Sequence, residues 1–156
     1  MKPVNKAGKE VLDRMYAMTK LNGGYHLTID NTDGTYMPVH VEIIGNCSIG
    51  DLVSVAHYYE QNGDMMRDPD MVFIYANGEG YTGQWYPISF RQDGCMGVDQ
   101  ESVTFNDRGE PSRIRRRQQA QHATFAGQWM RNIKCQQGLT AKATGIYMAT
   151  MKESAA

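Results

Sequence analysis

Hydrophobic residues near the start of the chain recur every three or four positions, which is the spacing of a helix with one buried face. This stripe comprises Ala7, Val11, Met15 and Met18. It predicts a helix over residues 5–20. The following Asn22-Gly23-Gly24 ends it, because glycine readily takes the left-handed conformation found at helix C-caps.

From residue 25 the hydrophobic period changes to two, which is typical of half-buried strands. Residues 25–29 and 37–43 both alternate apolar and polar side chains, and Asp33-Gly34 lies between them. Because Asp-Gly tolerates positive φ, this segment predicts a turn and therefore a β-hairpin.

Residues 48–62 show a second helical stripe, formed by Leu52, Val55, Ala56 and Tyr59. Ser48 is the predicted N-cap of this second helix, and Asn62-Gly63 is its predicted end. The uninterrupted apolar run over residues 71–76 then predicts a central strand that is buried on both faces.

The remaining chain predicts strands over residues 84–90 and 98–105, followed by a long helix. Pro87 lacks a backbone donor, which places its strand at a sheet edge or at a bulge. Ser112 is the predicted cap of the helix that ends at Gly138. Residues 145–148 predict a last short strand within a tail of small residues.

The predicted order α-β-β-α-β-β-β-α groups strands between helices and does not alternate them strictly. This order favours an α+β fold with a mostly antiparallel sheet covered on one face by helices. A chain of 156 residues is the usual size of a single domain. We expect residues 1–24 to be the helix and its cap, residues 25–138 the core, and residues 139–156 a tail.

Composition excludes several classes of protein. The net charge of −1 gives the whole molecule no preference for nucleic acid or for anionic membranes. No apolar run approaches the ~20 residues that span a bilayer, and the first residues lack the apolar core of a signal peptide. We therefore expect a cytoplasmic protein that does not bind membranes.

The three cysteines, Cys47, Cys95 and Cys135, are odd in number and far apart. This spacing argues against a disulfide framework and against a thiolate zinc site. The sequence also lacks the glycine patterns of nucleotide-binding loops, so no cofactor is expected.

Three segments carry a family resemblance: HYYEQNGDMMRDPDM at residues 57–71, YPISFRQD at residues 86–93, and the helix positions Phe125, Trp129 and Asn132. They resemble an uncharacterised family of domains of unknown function, found on conjugative and phage-like elements of gut bacteria, often near antirestriction genes. The resemblance covers about residues 39–138. It implies an accessory protein of a mobile element and carries over no catalytic residue.

An acidic segment is the first candidate site, with potential ligands at His57, Glu60, Asp64, Asp68 and Asp70. His57 and Glu60 would share a helix face, and a carboxylate set with an imidazole suits a divalent cation such as Mg²⁺ or Mn²⁺. The alternative is a purely structural turn, in which these carboxylates bond backbone N–H groups. We expect the structural turn and no metal.

A basic cluster is the second candidate site and comprises Arg113, Arg115, Arg116 and Arg117. Guanidinium groups and free N–H groups at a helix start together favour an anion. A nucleic-acid backbone or an acidic protein surface would suit this cluster, and the alternative is a solvated helix face.

Aromatic residues around the predicted edge strand are the third candidate, with Trp85 and Tyr86 as the binding residues. Such a surface stacks bases or anchors a protein partner, although strands are rich in aromatic residues for packing reasons alone.

These features leave three hypotheses for function. The first is a non-catalytic binding module that engages a host or element partner, with a role in anti-defence. The second is a metal-dependent enzyme that acts on nucleic acid through residues 57–70. The third is a nucleic-acid-binding protein that uses the arginines at residues 113–117. Catalytic patterns such as G-x-S-x-G and HExxH are absent from the sequence.

Overall fold

The computed structural model describes residues 1–145, 149 and 152. Their helices and strands, in chain order, are α1 Lys6–Leu21, β1 His26–Ile29, β2 Val39–Cys47, β3 Gly50–Gln61, β4 Asp64–Ala76, β5 Gln84–Gln92, β6 Val98–Glu101, β7 Val103–Phe105, β8 Pro111–Ile114 and α2 Arg116–Gln137. Residues 141–145 are also helical. The predicted α+β class is confirmed.

Six strands form one antiparallel meander, in which β1 to β6 lie side by side in chain order. The predicted first hairpin is confirmed, with His26 opposite Glu42 and Ile29 opposite Val39. The predicted central strand over residues 71–76 is also confirmed, as the second half of β4, between β3 and β5. β7 and β8 form a separate two-stranded sheet.

The second predicted helix is wrong, because residues 50–61 form strand β3. Asn62 and Gly63 both have positive φ, 54° and 84°, and they turn the chain directly into β4. Two consecutive positive φ values suit the tight turn of a β-hairpin, whose twist matches that of its strands. Asn62-Gly63 therefore closes a hairpin and does not cap a helix.

The two faces of the six-stranded sheet are covered by different elements. α1 and α2 pack on one face, where Phe73 and Val55 belong to the larger core. The β7–β8 hairpin covers part of the other face, where Ile74 and Val103 belong to a smaller core. Because adjacent strand residues point to opposite faces, the run over residues 71–76 is apolar at nearly every position.

The last helix begins later than predicted. Pro111–Ile114 forms β8, and α2 starts at Arg116. Ser112 therefore caps no helix, and its hydroxyl lies 3.5 Å from the carbonyl oxygen of Thr104 across the hairpin. The strand predicted over residues 98–105 is divided at Ser102 into β6 and β7, which belong to different sheets.

The sequence predicts that Pro87 lies at a sheet edge or at a bulge, and the structure places it at a bulge. The register between β4 and β5 shifts between Val72 and Phe73, and Phe73 lies opposite Pro87. β5 is not an edge strand, because β6 pairs with its other side. The strand predicted over residues 145–148 lies outside the described residues except at Gly145, which is helical.

α1 and α2 approach each other closely at two glycines. An ideal Cβ on Gly8 would lie 3.1 Å from the Cα of Gly127, and one on Gly127 would lie 2.8 Å from the Asn5 side chain. Asn5 is the N-cap of α1, and its Oδ1 accepts a hydrogen bond of 2.9 Å from the Gly8 amide. The crossing and the cap of α1 are therefore built from the same residues.

Candidate functional site

The predicted basic cluster forms an exposed surface at the junction of β8 and α2. Arg113 lies on β8 opposite Thr104, and Arg115, Arg116 and Arg117 lie at the start of α2. All four side chains are exposed. None of them forms an ion pair within the described part of the chain. We call these four residues the arginine face.

The start of α2 adds further positive potential to the arginine face. Arg115 occupies the N-cap position but makes no capping side-chain bond to a described residue, and the first turn contains no acidic residue. The first N–H groups of a helix lack intrahelical partners and carry its positive dipole end. Backbone donors and guanidinium groups therefore meet at one place, an arrangement that favours anions.

A buried glutamine holds the N-terminal segment beside the arginine face. The Lys2 amide donates to Oε1 of Gln119 at 2.6 Å, and Nε2 of Gln119 donates to the Lys2 carbonyl oxygen at 2.9 Å. A shallow cavity of about 240 Å³ lies between Met1, Lys2 and Arg116. Lys2 thus adds a positive charge beside the arginine face. The sequence gives no signal for this contact, since its two residues are 117 positions apart.

Glu110, an acidic residue in the turn before β8, pairs with a cation outside the arginine face. Arg108 in the β7–β8 turn lies 3.0 Å from Glu110, whose carboxylate also accepts from Asn106 at 2.8 Å. Glu110 is thereby held within its own turn. The arginine face keeps its charge.

The structure does not bring the predicted metal ligands together. His57 is buried against α2, and its Nδ1 donates to the Pro38 carbonyl oxygen at 3.0 Å. Asp68 accepts from Gln92 at 2.7 Å, and Asp70 accepts from Ser54 at 2.8 Å.

Glu60 and Asp64 are exposed near the turn between β3 and β4. Within the described ranges, no group of three or more His, Cys, Asp and Glu residues is arranged to hold a metal ion. His57 and Glu60 share no helix face, because their segment is a strand. The geometry does not support the metal hypothesis.

The two predicted aromatic binding residues lie on opposite faces of β5. Trp85 is 1% exposed, and its Nε1 donates to Asp13 of α1 at 2.8 Å. Its ring lies 4.6 Å from that of Tyr75. Trp85 is therefore a core residue and no surface anchor, which corrects the prediction. Tyr86 packs against the smaller core, with its ring 6.4 Å from that of Tyr81.

Polar residues lie together across β1 to β4, and only Asp70 among them was a candidate from the sequence. The His40 ring lies 6.1 Å from His26 and 5.2 Å from Tyr58. Burial raises the pKa of Tyr58, and the nearby Asp70 carboxylate raises it further. Burial also raises the pKa of Asp70, against the opposing effect of the Ser54 hydrogen bond. The only sequence signal for this grouping is the alternation of polar and apolar residues along each strand. That signal identifies neighbours across strands only when the pairing register of the strands is known.

Comparison with known proteins identifies the family. The model of a family described as "Domain of unknown function (DUF6908)" matches residues 6–139. The chain belongs to the DUF6908 family. The match extends the resemblance, which rests on residues 39–138, across all of α1. No curated protein and no solved structure matches this DUF6908 chain. Over the residues that the structure describes, no helix has the length and apolar character needed to cross a membrane.

Proposed function

We propose that this protein is a non-catalytic binding module that engages an anionic partner through the arginine face. It serves as an accessory protein of a mobile genetic element, and its partner belongs to the host or to the element, in anti-defence. The single observation that carries the binding proposal is the set of four exposed arginines without ion pairs in the described chain. The resemblance to domains on conjugative and phage-like elements supports the proposed role as an accessory protein of a mobile element.

The attraction at this surface must be local, because the whole chain has a net charge of −1. Guanidinium groups bind carboxylates and phosphates with two parallel hydrogen bonds, so a cluster of them favours acidic partners specifically. Exposed charges mainly set association rate and specificity, and salt screens them. An acidic surface on a protein partner therefore fits the arginine face.

The experiment replaces all four arginines of the arginine face with glutamine. Binding to an acidic polypeptide such as polyglutamate is measured by biolayer interferometry at low and physiological salt. We expect the variant to lose most of the binding, and we expect salt to weaken the wild type. Each position is exposed, so the melting temperature should stay close to that of the wild type.

The matched control replaces four exposed cations elsewhere, Lys6, Lys20, Arg131 and Lys142, with glutamine. This control changes the net charge by the same amount. If both variants bind equally well, or if both lose binding to the same extent, the arginine face is not the binding surface.

Nucleic acid is the second candidate partner, favoured by the start of α2, where no described side chain caps the helix and the guanidinium groups lie nearby. Phosphates bind at helix N-termini and pair with arginine in the same way as carboxylates. For a short DNA duplex, the slope of log K against log salt is negative, and its magnitude decreases by about 0.9 for each lost phosphate contact. The loss of four arginines should therefore make the slope of the glutamine variant less steep by up to about 3.6. An unchanged slope, or no binding of duplex by the wild type, rejects this candidate.

A further inference from the structure

A cleft of about 320 Å³ opens between α2 and strands β3 to β5, and no residue of the arginine face lines it. Its apolar walls include Phe90, Phe125 and Trp129, and its polar lining includes His57, Asp68 and Gln92. Asp68 is the one carboxylate in the lining, and no described lysine or arginine lines the cleft. The cleft is thus negatively charged and bounded by aromatic rings.

Hydrogen bonds within the lining leave acceptor atoms available to a ligand. Gln92 Nε2 donates to Oδ1 of Asp68 at 2.7 Å, which leaves Oδ2 of Asp68 and Oε1 of Gln92 as acceptors. The carbonyl oxygen of Pro38 can only accept, so the His57 Nδ1 that lies 3.0 Å from it carries the proton. In the neutral ring Nε2 is then an acceptor, and it bonds to no described residue.

Aromatic rings continue from one side of the cleft to the other. The Phe125 ring lies 5.1 Å from Phe90 at an interplanar angle of 87°, and 6.1 Å from Trp129. The His57 ring lies 5.5 Å from Trp129. Phe125 is 41% exposed, although it is a large apolar residue on a helix that otherwise buries such residues. Aromatic faces attract cations through their quadrupole.

We propose that this cleft binds a guanidinium group. A guanidinium is a planar cation with five N–H donors, so it meets the Asp68 charge, the unused acceptors and the aromatic walls together. An ammonium group would share the charge but would lack the planar face that stacks on Phe125 and Trp129. The guanidinium belongs either to a free small molecule or to an arginine side chain of a peptide.

The fluorescence of Trp129 provides the readout. The chain has two tryptophans, and Trp85 is buried in the core with its Nε1 bonded to Asp13. Titration with N-acetyl-arginine amide should therefore change the Trp129 emission in a saturable way. N-acetyl-citrulline amide has nearly the same shape without the charge, and it should bind about tenfold more weakly or worse. Equal binding of the two compounds, or no saturable change with either, overturns the proposal.

Variants test whether the signal comes from this cleft. Asp68→Asn keeps the acceptor for Gln92 and removes the charge, and we expect it to weaken arginine amide binding by about tenfold or more. Phe125→Leu changes an exposed ring, so it should fold normally and bind several-fold more weakly. The control Asp64→Asn removes an exposed carboxylate outside the cleft and should bind as the wild type does. Wild-type affinity in both cleft variants would place the binding elsewhere and reject the site.

Two further ligands separate the sources of the guanidinium. Free L-arginine carries a carboxylate and an ammonium that a peptide-bound arginine lacks. Tighter binding of free L-arginine than of the peptide Gly-Arg-Gly identifies a small-molecule site. The opposite order identifies a site for a peptide arginine. The arginine-face glutamine variant should bind both ligands normally, which distinguishes this site from the one proposed above.

Discussion

Arg67 and Asp93 form a complete two-point ion pair between β4 and the turn after β5. Arg67 donates to the two Asp93 oxygens from Nε at 2.9 Å and from the terminal nitrogen at 2.8 Å. Its backbone amide donates as well, at 2.9 Å. These bonds lower the pKa of Asp93 to about 2. Protonation of Asp93 in acid should therefore reduce the stability of the folded protein.

We predict that Asp93→Asn is less stable than the wild type at neutral pH and that this difference disappears in acid. A carboxyl group whose pKa is lowered on folding stabilises the protein above its unfolded pKa, about 4. That contribution is lost as the pH falls through about 2. The measurement is urea unfolding of both proteins between pH 7 and pH 2. A constant difference across this range would contradict the prediction, and the control is Asp64→Asn, at an exposed carboxylate that forms no ion pair with a described residue.

At single residues, the sequence predicts chemistry better than it predicts side-chain direction. The four arginines are exposed, as a binding surface requires. Trp85 and Tyr86 are adjacent aromatic residues on one strand, so one of them must face the helices and the other the opposite side. Nothing in the sequence says which. Trp85 is the one that lies in the core below α1, where Asp13 of α1 accepts a hydrogen bond from its indole N–H.

Among the elements, the contact between α1 and α2 depends most on a small residue. A Cβ on Gly127 would lie 3.0 Å or less from three atoms of Asn5, the N-cap of α1. Alanine in a helix is normally about 1 kcal/mol better than glycine. At this crossing, however, overpacking costs about 1–3 kcal/mol, and a displaced cap costs about 1 kcal/mol more.

We therefore predict that Gly127→Ala lowers the free energy of unfolding by about 1–3 kcal/mol, despite its better helix propensity. Thermal and urea unfolding measure the change. Gly45→Ala is the control, since an added Cβ there meets no atom within 4 Å and the φ of Gly45 is not positive. A stabilised Gly127→Ala protein would show that the helices move apart at no cost.

Element assignment fails in the sequence where both faces of a strand are covered. Val53 and Val55 pack under the helices, and Leu52 packs on the opposite face. Their side chains therefore form a nearly continuous apolar run, which matches helical spacing by chance. Two signals favour a strand, namely the β-branched valines and the Asn62-Gly63 turn before a second extended run. The hairpin that covers part of the second face comes much later in the chain, so local spacing cannot reveal it.

Across the whole molecule, two histidines with lowered pKa values connect separate layers or strands. His122 of α2 lies 2.9 Å from Oε1 of Gln100 on β6 and 3.1 Å from the hydroxyl of Ser102. Burial lowers the pKa of His122. Burial also lowers the pKa of His40, which links β2 to Thr28 of β1, and the neighbouring His26 adds to the effect.

We predict that the free energy of unfolding falls as the pH drops below about 6.5, the pKa of an unfolded histidine. The unfolded chain then takes up protons that the folded histidines bind less readily, so acid favours unfolding. His122→Gln keeps hydrogen-bonding groups without titrating, and it should flatten the decline between pH 7 and pH 5. Chemical denaturation of both proteins at several pH values measures the free energy of unfolding and its decline. An identical pH profile in the variant would exclude His122 as a source of the acid sensitivity.

The two hydrogen bonds between the Lys2 backbone and the Gln119 side chain have a practical consequence for purification. Because the backbone of Lys2 is anchored to α2, anything fused ahead of Met1 emerges within reach of Arg116. An affinity tag at that end would shield the guanidinium groups or, if acidic, would occupy them as a false ligand. Assays of partner recognition therefore require the tag to be cleaved off. A recovered interaction after cleavage would itself report where the partner docks.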